Sequence, residues 1–214
     1  MSRPSVAAVV VTFNRRELLG RLLDVLTTIP ELDAILVVNN ASTDETAEFL
    51  DSLTDHRIQH RTLSTNLGGA GGFQTGMQWA VEAGYDLAWL MDDDGVPTPD
   101  CLSRLLEYRG DYDFWGPAVL AEQDPSRLCF PVRKPGTATV ARTLTELRES
   151  SVDGVVADVV IPFNGVLVTR ELAEQIGTPR AEFFIWGDDV EYLWRAQRAG
   201  ARTGTVVDAH FLHP

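Results

Sequence analysis

Residues 87–95 read Leu-Ala-Trp-Leu-Met-Asp-Asp-Asp-Gly, a short apolar run that ends in three adjacent carboxylates. A continuously apolar run of this length is typical of a strand buried on both faces of a sheet. The three carboxylates repel one another, and a bound cation would relieve that repulsion. Asp92 and Asp94 point to the same side of an extended chain and could both reach one Mg²⁺ or Mn²⁺ ion. A solvated acidic turn is the alternative interpretation.

The residues before this run alternate between strand and helix patterns. Strands are predicted over 6–13, 34–38 and 58–63, and the leucines between 18 and 26 follow helical spacing. This β-α-β-α order predicts an α/β fold with a mostly parallel central sheet and helices on both faces. Ligands bind such sheets beyond the carboxyl ends of the strands, and residues 12–15, 39–40 and 92–94 are the polar residues at those ends.

Two helix starts carry capping-box spacing. Asn14 stands three residues before Glu17, and Ser42 three residues before Glu45. We therefore predict that Asn14 caps the first helix and Ser42 the second.

A glycine-rich segment, Asn66-Leu67-Gly68-Gly69-Ala70-Gly71-Gly72, leads into a predicted helix that ends near Ala83. Backbone N–H groups of such a segment could cradle a phosphate at the start of the helix. A tight loop that allows close packing is the alternative. The dinucleotide-binding fingerprint is not matched, because Gln74 occupies the place of its last glycine.

The second half of the chain is less regular. Residues 121–137 contain three prolines and are predicted to form a long excursion without strands. Strands are expected over 155–161, 165–169 and 202–207. A helix over 188–199 would be stopped by Gly200.

Composition narrows the class of protein. The 214 residues carry a net charge of −13, which repels phosphate backbones and argues against nucleic acid as a partner. Cys101 and Cys129 are too few for a disulfide framework and indicate free thiols in a reducing compartment. No signal peptide or apolar run of membrane-spanning length is present, so a cytoplasmic location is expected.

A second group of polar and aromatic residues lies at 183–192, Phe-Phe-Ile-Trp-Gly-Asp-Asp-Val-Glu-Tyr. Aromatic rings beside carboxylates are typical of sugar sites, and a carboxylate there could act as a general base for a hydroxyl. The plainer explanation is that acidic residues at a helix start are stabilised by the helix dipole. His213, at a strand exit near the end of the chain, could be a third metal ligand.

An apolar strand followed by Asp92-Asp93-Asp94-Gly95 is also typical of haloacid-dehalogenase-like phosphohydrolases. Those enzymes carry the nucleophilic aspartate on the first strand, whereas three strand candidates precede Asp92. They also need a lysine late in the chain, and Lys134 is the only lysine. This function remains an alternative, as does a non-catalytic module that binds a nucleotide-sugar.

Three motifs in order resemble the family-2 glycosyltransferases, which have the GT-A nucleotide-sugar-binding fold. They are residues 9–15 (Val-Val-Val-Thr-Phe-Asn-Arg), residues 37–44 (Val-Val-Asn-Asn-Ala-Ser-Thr-Asp) and the aspartate triplet followed by Pro99-Asp100. The resemblance covers nearly the whole chain. It implies one catalytic domain over 1–214, with a nucleotide-binding half at 1–120 and an acceptor-side half at 121–214.

Further motifs resemble a narrower group, the galactofuranosyltransferases of actinobacterial cell walls and the related rhamnosyltransferases. They are residues 66–73, 89–95, 163–165, 184–191 and 213–214. This resemblance implies an inverting transfer of a hexose, with UDP-galactofuranose the favoured donor and dTDP-rhamnose the next. The acceptor would be a glycan or a polyprenyl-linked glycolipid in cell-wall or surface polysaccharide synthesis.

The resemblance also implies roles for individual residues. The donor would be bound by Thr12, Asn14, Arg15, Asn40, Asn66, Gly68, Gly69 and Asp93, with Asp93 near the ribose and Asn40 at the edge of a uracil or thymine base. The acceptor would contact Asn164, Trp186, Asp188 and Glu191. Asp92, Asp94 and His213 would hold Mn²⁺ or Mg²⁺, and Asp189 would be the catalytic base.

Proteins of this group usually continue past the final His213-Pro214. A longer protein or a minimal member is therefore expected. Peripheral association with the inner face of the cell membrane, if it occurs, is expected to use a segment beyond Pro214.

Overall fold

The structure, a computed structural model, describes residues 3–214. The strands are β1 (Val6–Thr12), β2 (Ala34–Asn39), β3 (Ile58–Thr62), β4 (Leu87–Asp92), β5 (Val96–Pro97), β6 (Phe114–Ala121), β7 (Asp124–Arg133), β8 (Val140–Thr143), β9 (Val155–Ala157), β10 (Asn164–Thr169) and β11 (Thr203–His213). The helices are α1 (Arg16–Leu26), α2 (Thr46–Asp51), α3 (Gly68–Glu82), α4 (Cys101–Leu106), α5 (Leu144–Glu149), α6 (Arg170–Ile176) and α7 (Asp188–Arg198), and a 3₁₀ turn covers Ala181–Phe183.

The strands form one sheet with the order β3-β2-β1-β4-β10-β6-β11-β5 along its main path. β1, β2, β3 and β4 run parallel, and β6 is parallel to β11, whereas β10 is antiparallel to both β4 and β6. The predicted α/β fold with a mostly parallel sheet is thus confirmed. The carboxyl ends of β1, β2, β4, β6 and β11 lie at one edge of the sheet, and β10 begins at that edge.

Helices cover both faces of the sheet, as predicted. Successive residues of β1 point to opposite faces, so Val10 packs in a core with the leucines of α1, while Val9 packs in a second core with Phe73 and Met77 of α3. α4 lies on the first face, and α6 and α7 lie on the second. A smaller core forms where β7, β8 and α5 fold over β6.

The glycine-rich segment is the first part of α3 and not a loop before it. A Cβ atom at Gly72 would lie 2.4 Å from Val11 Cγ1, and one at Gly76 would lie 2.4 Å from Val9 Cγ1. These glycines let α3 approach β1 more closely than any other residue would allow. The close packing expected of the segment is therefore present at Gly72, and Gly76, four residues beyond the segment, packs in the same way.

Neither predicted capping box forms. The N-cap residues of α1 and α2 are Arg15 and Glu45, and neither makes a side-chain capping hydrogen bond. Asn14 adopts a left-handed conformation with φ of 53°, and its side-chain oxygen accepts a hydrogen bond from Thr43 N at 2.7 Å. Asn14 is therefore tied to the loop after β2 and cannot also cap α1.

The second half of the chain is more regular than predicted. Most of the proline-containing stretch 121–137 is strand β7, which pairs with β6 and β8. Its pairing with β6 has a register shift, so prolines without an N–H are tolerated there. The last strand also continues past Val207 to His213, with an irregular register between Val206 and His210. Within residues 3–214, no helix is long and apolar enough to cross a membrane.

Candidate functional site

A cleft lies at the edge of the sheet where the strands end. It consists of two adjoining depressions, which share Arg15, Gly69, Asp92 and Ile185 in their walls. The first depression, called the β1–β2 side here, is also lined by Val11, Thr12, Phe13, Asn40, Asn66, Gly68, Asp93 and Phe184. The second, called the β10–α7 side, is also lined by Phe73, Asp94, Pro162, Phe163, Asn164, Trp186, Gly187, Asp188 and Asp189.

The acidic triplet at the end of β4 stands at the junction of these two depressions. Arg15 Nη1 lies 3.0 Å from Asp93 Oδ1 and 2.8 Å from Asp94 Oδ2. On the other side of Asp94, His213 Nε2 lies 3.4 Å from Oδ1. One guanidinium and one imidazole thus neighbour two of the three carboxylates.

The three carboxyl groups differ in their affinity for a proton. Burial, followed by repulsion from Asp94 and Asp93, raises the pKa of Asp92 to about 8. Burial also raises the pKa of Asp93, although Thr12 and Arg15 act to lower it. The hydrogen bond with His213 is the main cause that lowers the pKa of Asp94. Asp92 is therefore the carboxyl group that would gain most from a nearby cation.

We tested whether the triplet and His213 suit a divalent metal ion. Carboxylate oxygens and an imidazole nitrogen are ligands that Mg²⁺ and Mn²⁺ accept, and the raised pKa of Asp92 indicates excess negative charge. In residues 3–214, however, no group of three His, Cys, Asp or Glu side chains is arranged to hold a metal ion. Arg15 and His213 pair with Asp94 instead. The donor chemistry suits a metal. Arg15 engages Asp94 through Oδ2, whereas Oδ1, which faces His213, has no hydrogen-bond partner among the described residues.

Asn40 is buried, and both ends of its side-chain amide are used by the chain itself. Its oxygen accepts a hydrogen bond from Leu67 N at 2.9 Å, and its nitrogen donates to Gly68 O at 2.8 Å. The sequence-based expectation placed this amide at the edge of a nucleotide base. These two bonds hold the start of α3 in place, and they leave one N–H and one oxygen lone pair of the amide unused, so the contact with a base stays a prediction.

Two other buried polar atoms on the β1–β2 side are poorly paired. Thr12 Oγ1 and Asp93 Oδ2 make no hydrogen bond of good geometry among the described residues, although Thr12 lies close enough to the Asp93 carboxyl to lower its pKa. Buried polar atoms are nearly always paired in proteins, so a ligand with hydroxyl or amide groups would satisfy them. The N–H groups at the start of α3 are less available, since Gly68 N donates to Asn66 Oδ1 and Ala70 N to Phe184 O.

The segment before α7 forms the opposite wall of the cleft. Phe184, Trp186 and Gly187 all have positive φ angles, and Trp186 is 85% exposed. Asp188 is buried, and burial together with the charge of Asp189 raises its pKa. Asp189 is only half-buried, and its Oδ1 accepts a hydrogen bond from Val190 N at 2.7 Å. Asp189 is thus the more accessible of the two carboxylates.

Most of the predicted site residues line the cleft. Eight line the β1–β2 side or the junction: Thr12, Arg15, Asn40, Asn66, Gly68, Gly69, Asp92 and Asp93. Asp94, Asn164, Trp186, Asp188 and Asp189 line the β10–α7 side.

Three predicted site residues are absent from the lining of either depression. Asn14 holds the loop at Thr43. Glu191 is paired with Arg195 at 2.9 Å and with Arg180 at 3.7 Å, because it lies one helical turn from Arg195 on α7. His213 reaches the cleft only through Asp94.

Several residues near the site were not expected from the sequence. Phe73, Phe163 and Ile185 lie inside the recognised motifs and line the cleft, so those motifs were the available signal. Cys129 on β7 lies 3.6 Å from His213 Nδ1. No sequence signal pointed to it, because β7 was not predicted.

The chain matches the family model described as Glycosyl transferase family 2 over residues 7–177. The protein belongs to this family. It is similar to the galactofuranosyltransferase GlfT1 of Mycolicibacterium smegmatis, with 38% identity over 219 residues, which is 98% of this chain and 70% of the relative. It is also similar to an undecaprenyl-phosphate mannosyltransferase of Micrococcus luteus, with 39% identity over 110 residues, covering 48% of this chain and 43% of that protein.

The fold is shared with more distant proteins of known structure. GalNAc-T7, whose crystal structure contains UDP, GalNAc and Mn²⁺, superposes with a TM-score of 0.77 at 14% identity, over 98% of this chain and 43% of that chain. This likeness confirms the GT-A fold alone. The phosphohydrolase alternative is wrong, because the family is a different one and the triplet ends the fourth strand of the sheet.

Proposed function

We propose that this protein transfers a hexose from a nucleotide-sugar to a glycan or polyprenyl-linked acceptor in cell-surface polysaccharide synthesis. UDP-galactofuranose is the favoured donor, because GlfT1 is similar over almost the whole chain. The observation that carries the proposal is the cleft itself. Its two sides meet at Asp92, so a donor on one side would present its reacting carbon to an acceptor on the other.

The β1–β2 side is the proposed donor site. Arg15 offers a cation for the diphosphate, and the poorly paired oxygens of Thr12 and Asp93 offer hydrogen bonds for the nucleoside. Asn40 and Asn66 contribute by fixing the loop that forms the wall of this site. This half corresponds to residues 1–120, and the acceptor side is supplied mainly by residues 121–214.

A divalent ion, Mn²⁺ or Mg²⁺, is the proposed cofactor. Asp92, Asp94 and His213 would hold it, with Asp94 contributing Oδ1, the oxygen that Arg15 does not contact. When bound, such an ion neutralises negative charge on the departing diphosphate. A chain with net charge −13 needs a cation of this kind, or a cationic side chain, to accept an anionic donor.

Asp189 is the proposed base of an inverting, single-displacement transfer. It lines the β10–α7 side, it is half-buried, and it stands in the first turn of α7. A carboxylate here can remove the proton of the acceptor hydroxyl as the new bond forms. Asp188 is a weaker candidate, because its burial favours the protonated form. Trp186 and Asn164 would contact the acceptor.

The test is a transfer assay with mass-spectrometric detection. UDP-galactofuranose, UDP-galactopyranose and dTDP-rhamnose are each offered with a synthetic lipid-linked or glycan acceptor, with Mn²⁺ or with EDTA. We expect product from UDP-galactofuranose that depends on the metal. Product from dTDP-rhamnose alone would reverse the choice of donor. Tight binding of UDP with no transfer to any acceptor would favour a non-catalytic binding module.

A further inference from the structure

Helix α7 carries apolar side chains on two opposite faces. Asp188, Tyr192 and Ala196 are the buried residues, and their four-residue spacing turns one stripe toward the sheet. Val190 and Trp194 stand two residues further along, about 200° around the helix, and are 40% and 58% exposed. The solvent side of a surface helix is ordinarily polar. An exposed valine and tryptophan at this position therefore call for an explanation other than folding.

Arg198 continues this stripe by one more turn. We name Val190, Trp194 and Arg198 the α7 outer face. Arg198 is exposed, and it takes part in no ion pair within residues 3–214, in contrast to Arg195, which is bound to Glu191. The α7 outer face is thus an apolar strip that ends in the guanidinium of Arg198, which forms no ion pair within residues 3–214.

The α7 outer face follows closely in sequence on further exposed apolar side chains. Six of the ten large hydrophobic side chains that are exposed in residues 3–214 lie between 183 and 194. Ile185 and Trp186 of this set also line the β10–α7 side of the cleft. Concentrated exposed apolar side chains mark interaction sites in soluble proteins. Their position beside the proposed acceptor site indicates a partner that comes with the acceptor.

We infer that the α7 outer face and residues 183–186 seat the protein on the surface of a lipid bilayer. This inference rests on the proposed function, because a polyprenyl-linked acceptor would present its sugar at that surface. Trp186 and Trp194 are the residue type that favours the boundary between hydrocarbon and water. Arg198 can lay its apolar stem along the strip and keep its guanidinium among phosphates.

The charges on the molecule define how such binding would behave. The net charge of −13 opposes attraction to anionic lipid, so apolar insertion has to carry most of the binding. Binding of that kind persists at high salt, whereas a purely electrostatic contact is screened. A second copy of the chain is the competing occupant of the same surface, and it would give a concentration-dependent dimer without vesicles.

The tryptophans provide a direct measurement. Trp79, Trp89 and Trp115 are buried, so Trp186 and Trp194 are the two of the five that lipid can reach. Phosphatidylcholine vesicles with brominated chains should quench the fluorescence of the full chain. Trp194→Phe keeps the face apolar, so it should bind vesicles normally while part of the quenching is lost.

Variants that change the polarity of the face complete the test. Val190→Asp combined with Trp194→Ser should weaken co-sedimentation with vesicles roughly tenfold or more. Val152→Asp is the matched control, because Val152 is 76% exposed but lies outside residues 183–198.

Vesicle binding that is unaffected by the double variant would overturn the inference, and so would a protein that forms dimers but does not bind vesicles. Loss of vesicle binding with unchanged transfer to a soluble acceptor analogue would support it. Failure of transfer in every form would count against the proposed function alone.

Discussion

The guanidinium of Arg15 lies 2.8 Å from the carboxylate of Asp94, at the point where the two sides of the cleft meet. The same group reaches Asp93 at 3.0 Å, so one side chain serves as counter-ion for two carboxylates. Arg15 contacts Asp94 through Oδ2, so a divalent ion on the unpaired Oδ1 would lie beside the guanidinium, and the two cations would repel each other. Arg15 and the metal are therefore competitors in the protein without a donor.

Removal of Arg15 should strengthen metal binding. We expect Arg15→Gln to bind Mn²⁺ roughly three- to tenfold more tightly in the absence of nucleotide, because the competing ion pair is lost. The same variant should bind UDP more weakly. Electron paramagnetic resonance of free Mn²⁺ measures the first effect, and calorimetry measures the second. Arg16→Gln is the control, since Arg16 lies over the Phe49 ring. Unchanged Mn²⁺ affinity in Arg15→Gln would show that the two do not compete.

Loss of the carboxylate at position 189 should stop transfer without loss of donor binding. Asp189→Asn keeps the shape of the side chain and removes the base, so turnover should fall by roughly 10²–10⁴-fold. UDP affinity should stay within experimental error, because the proposed donor site is on the other side of the cleft. Glu191→Gln is the control, since Glu191 is engaged by Arg195. Near-normal turnover in Asp189→Asn, with a loss in Asp188→Asn, would move the role to Asp188.

Asn40 should act through the loop it holds and not through the nucleotide base. In Asn40→Asp, a carboxylate oxygen faces the carbonyl of Gly68 in place of an amide N–H, which costs about 1–3 kcal/mol. The melting temperature and the UDP affinity should both fall, and discrimination between UDP and dTDP should not change. Asn39→Asp is the control, because its partner Thr62 has a hydroxyl that can turn and donate. A variant that is stable but has altered base preference would instead assign Asn40 to the base.

The glycines of α3 should differ in their tolerance of alanine. An alanine Cβ at Gly76 would lie 2.4 Å from Val9 Cγ1 and 3.1 Å from Val38 Cγ2, so Gly76→Ala should destabilise the fold by about 1–3 kcal/mol. A Cβ at Gly69 has no atom within 4 Å, so Gly69→Ala should be neutral or stabilising. Urea unfolding of both variants measures the difference. Equal stabilities would mean that α3 can move away from β1 freely.

Low pH should remove the stabilisation that the ion pair between Asp55 and Arg57 gives to the fold. The side-chain hydrogen bond from Arg57 is the main cause that lowers the pKa of Asp55 to about 2. The stabilisation is therefore complete above the unfolded pKa of about 4 and is lost as the pH falls from 4 toward 2. Asp55→Asn should cost about 1 kcal/mol at pH 6 and nearly nothing at pH 2. Urea unfolding across this range tests it, with the exposed Asp24→Asn as control.

The first half of the fold could be predicted because its patterns are local. The leucines of α1 follow one helical stripe, and β4 is a single apolar run. β6 lacked such a signal, because Gly116 and Pro117 interrupt it. Gly116 has a structural reason, since a Cβ there would lie 2.7 Å from Val166 Cγ1 on β10. That contact joins distant parts of the chain and leaves no local pattern.

In the candidate site, too, the features with a local sequence pattern could be predicted, and those that depend on distant parts of the chain could not. The aspartates of the triplet and of the 183–192 segment were visible as dense motifs, but their meeting in one cleft depends on strands and loops that are far apart in sequence. The engagement of the Asn40 amide and the Arg15–Asp94 pair were not predictable, since both depend on side-chain directions set by the folded backbone.

The hydrogen bond between Ala70 N and Phe184 O joins the two walls of the cleft directly. A Cβ at Gly68 would lie 1.9 Å from the same carbonyl oxygen, so the start of α3 packs directly against the backbone of Phe184. Any shift at the start of α3 that accompanies donor binding is consequently passed to Phe184, next to Trp186. By thermodynamic reciprocity, an acceptor that repositions this segment changes donor affinity by the same factor as the donor changes acceptor affinity. The contact thus gives the two substrates a route to heterotropic coupling.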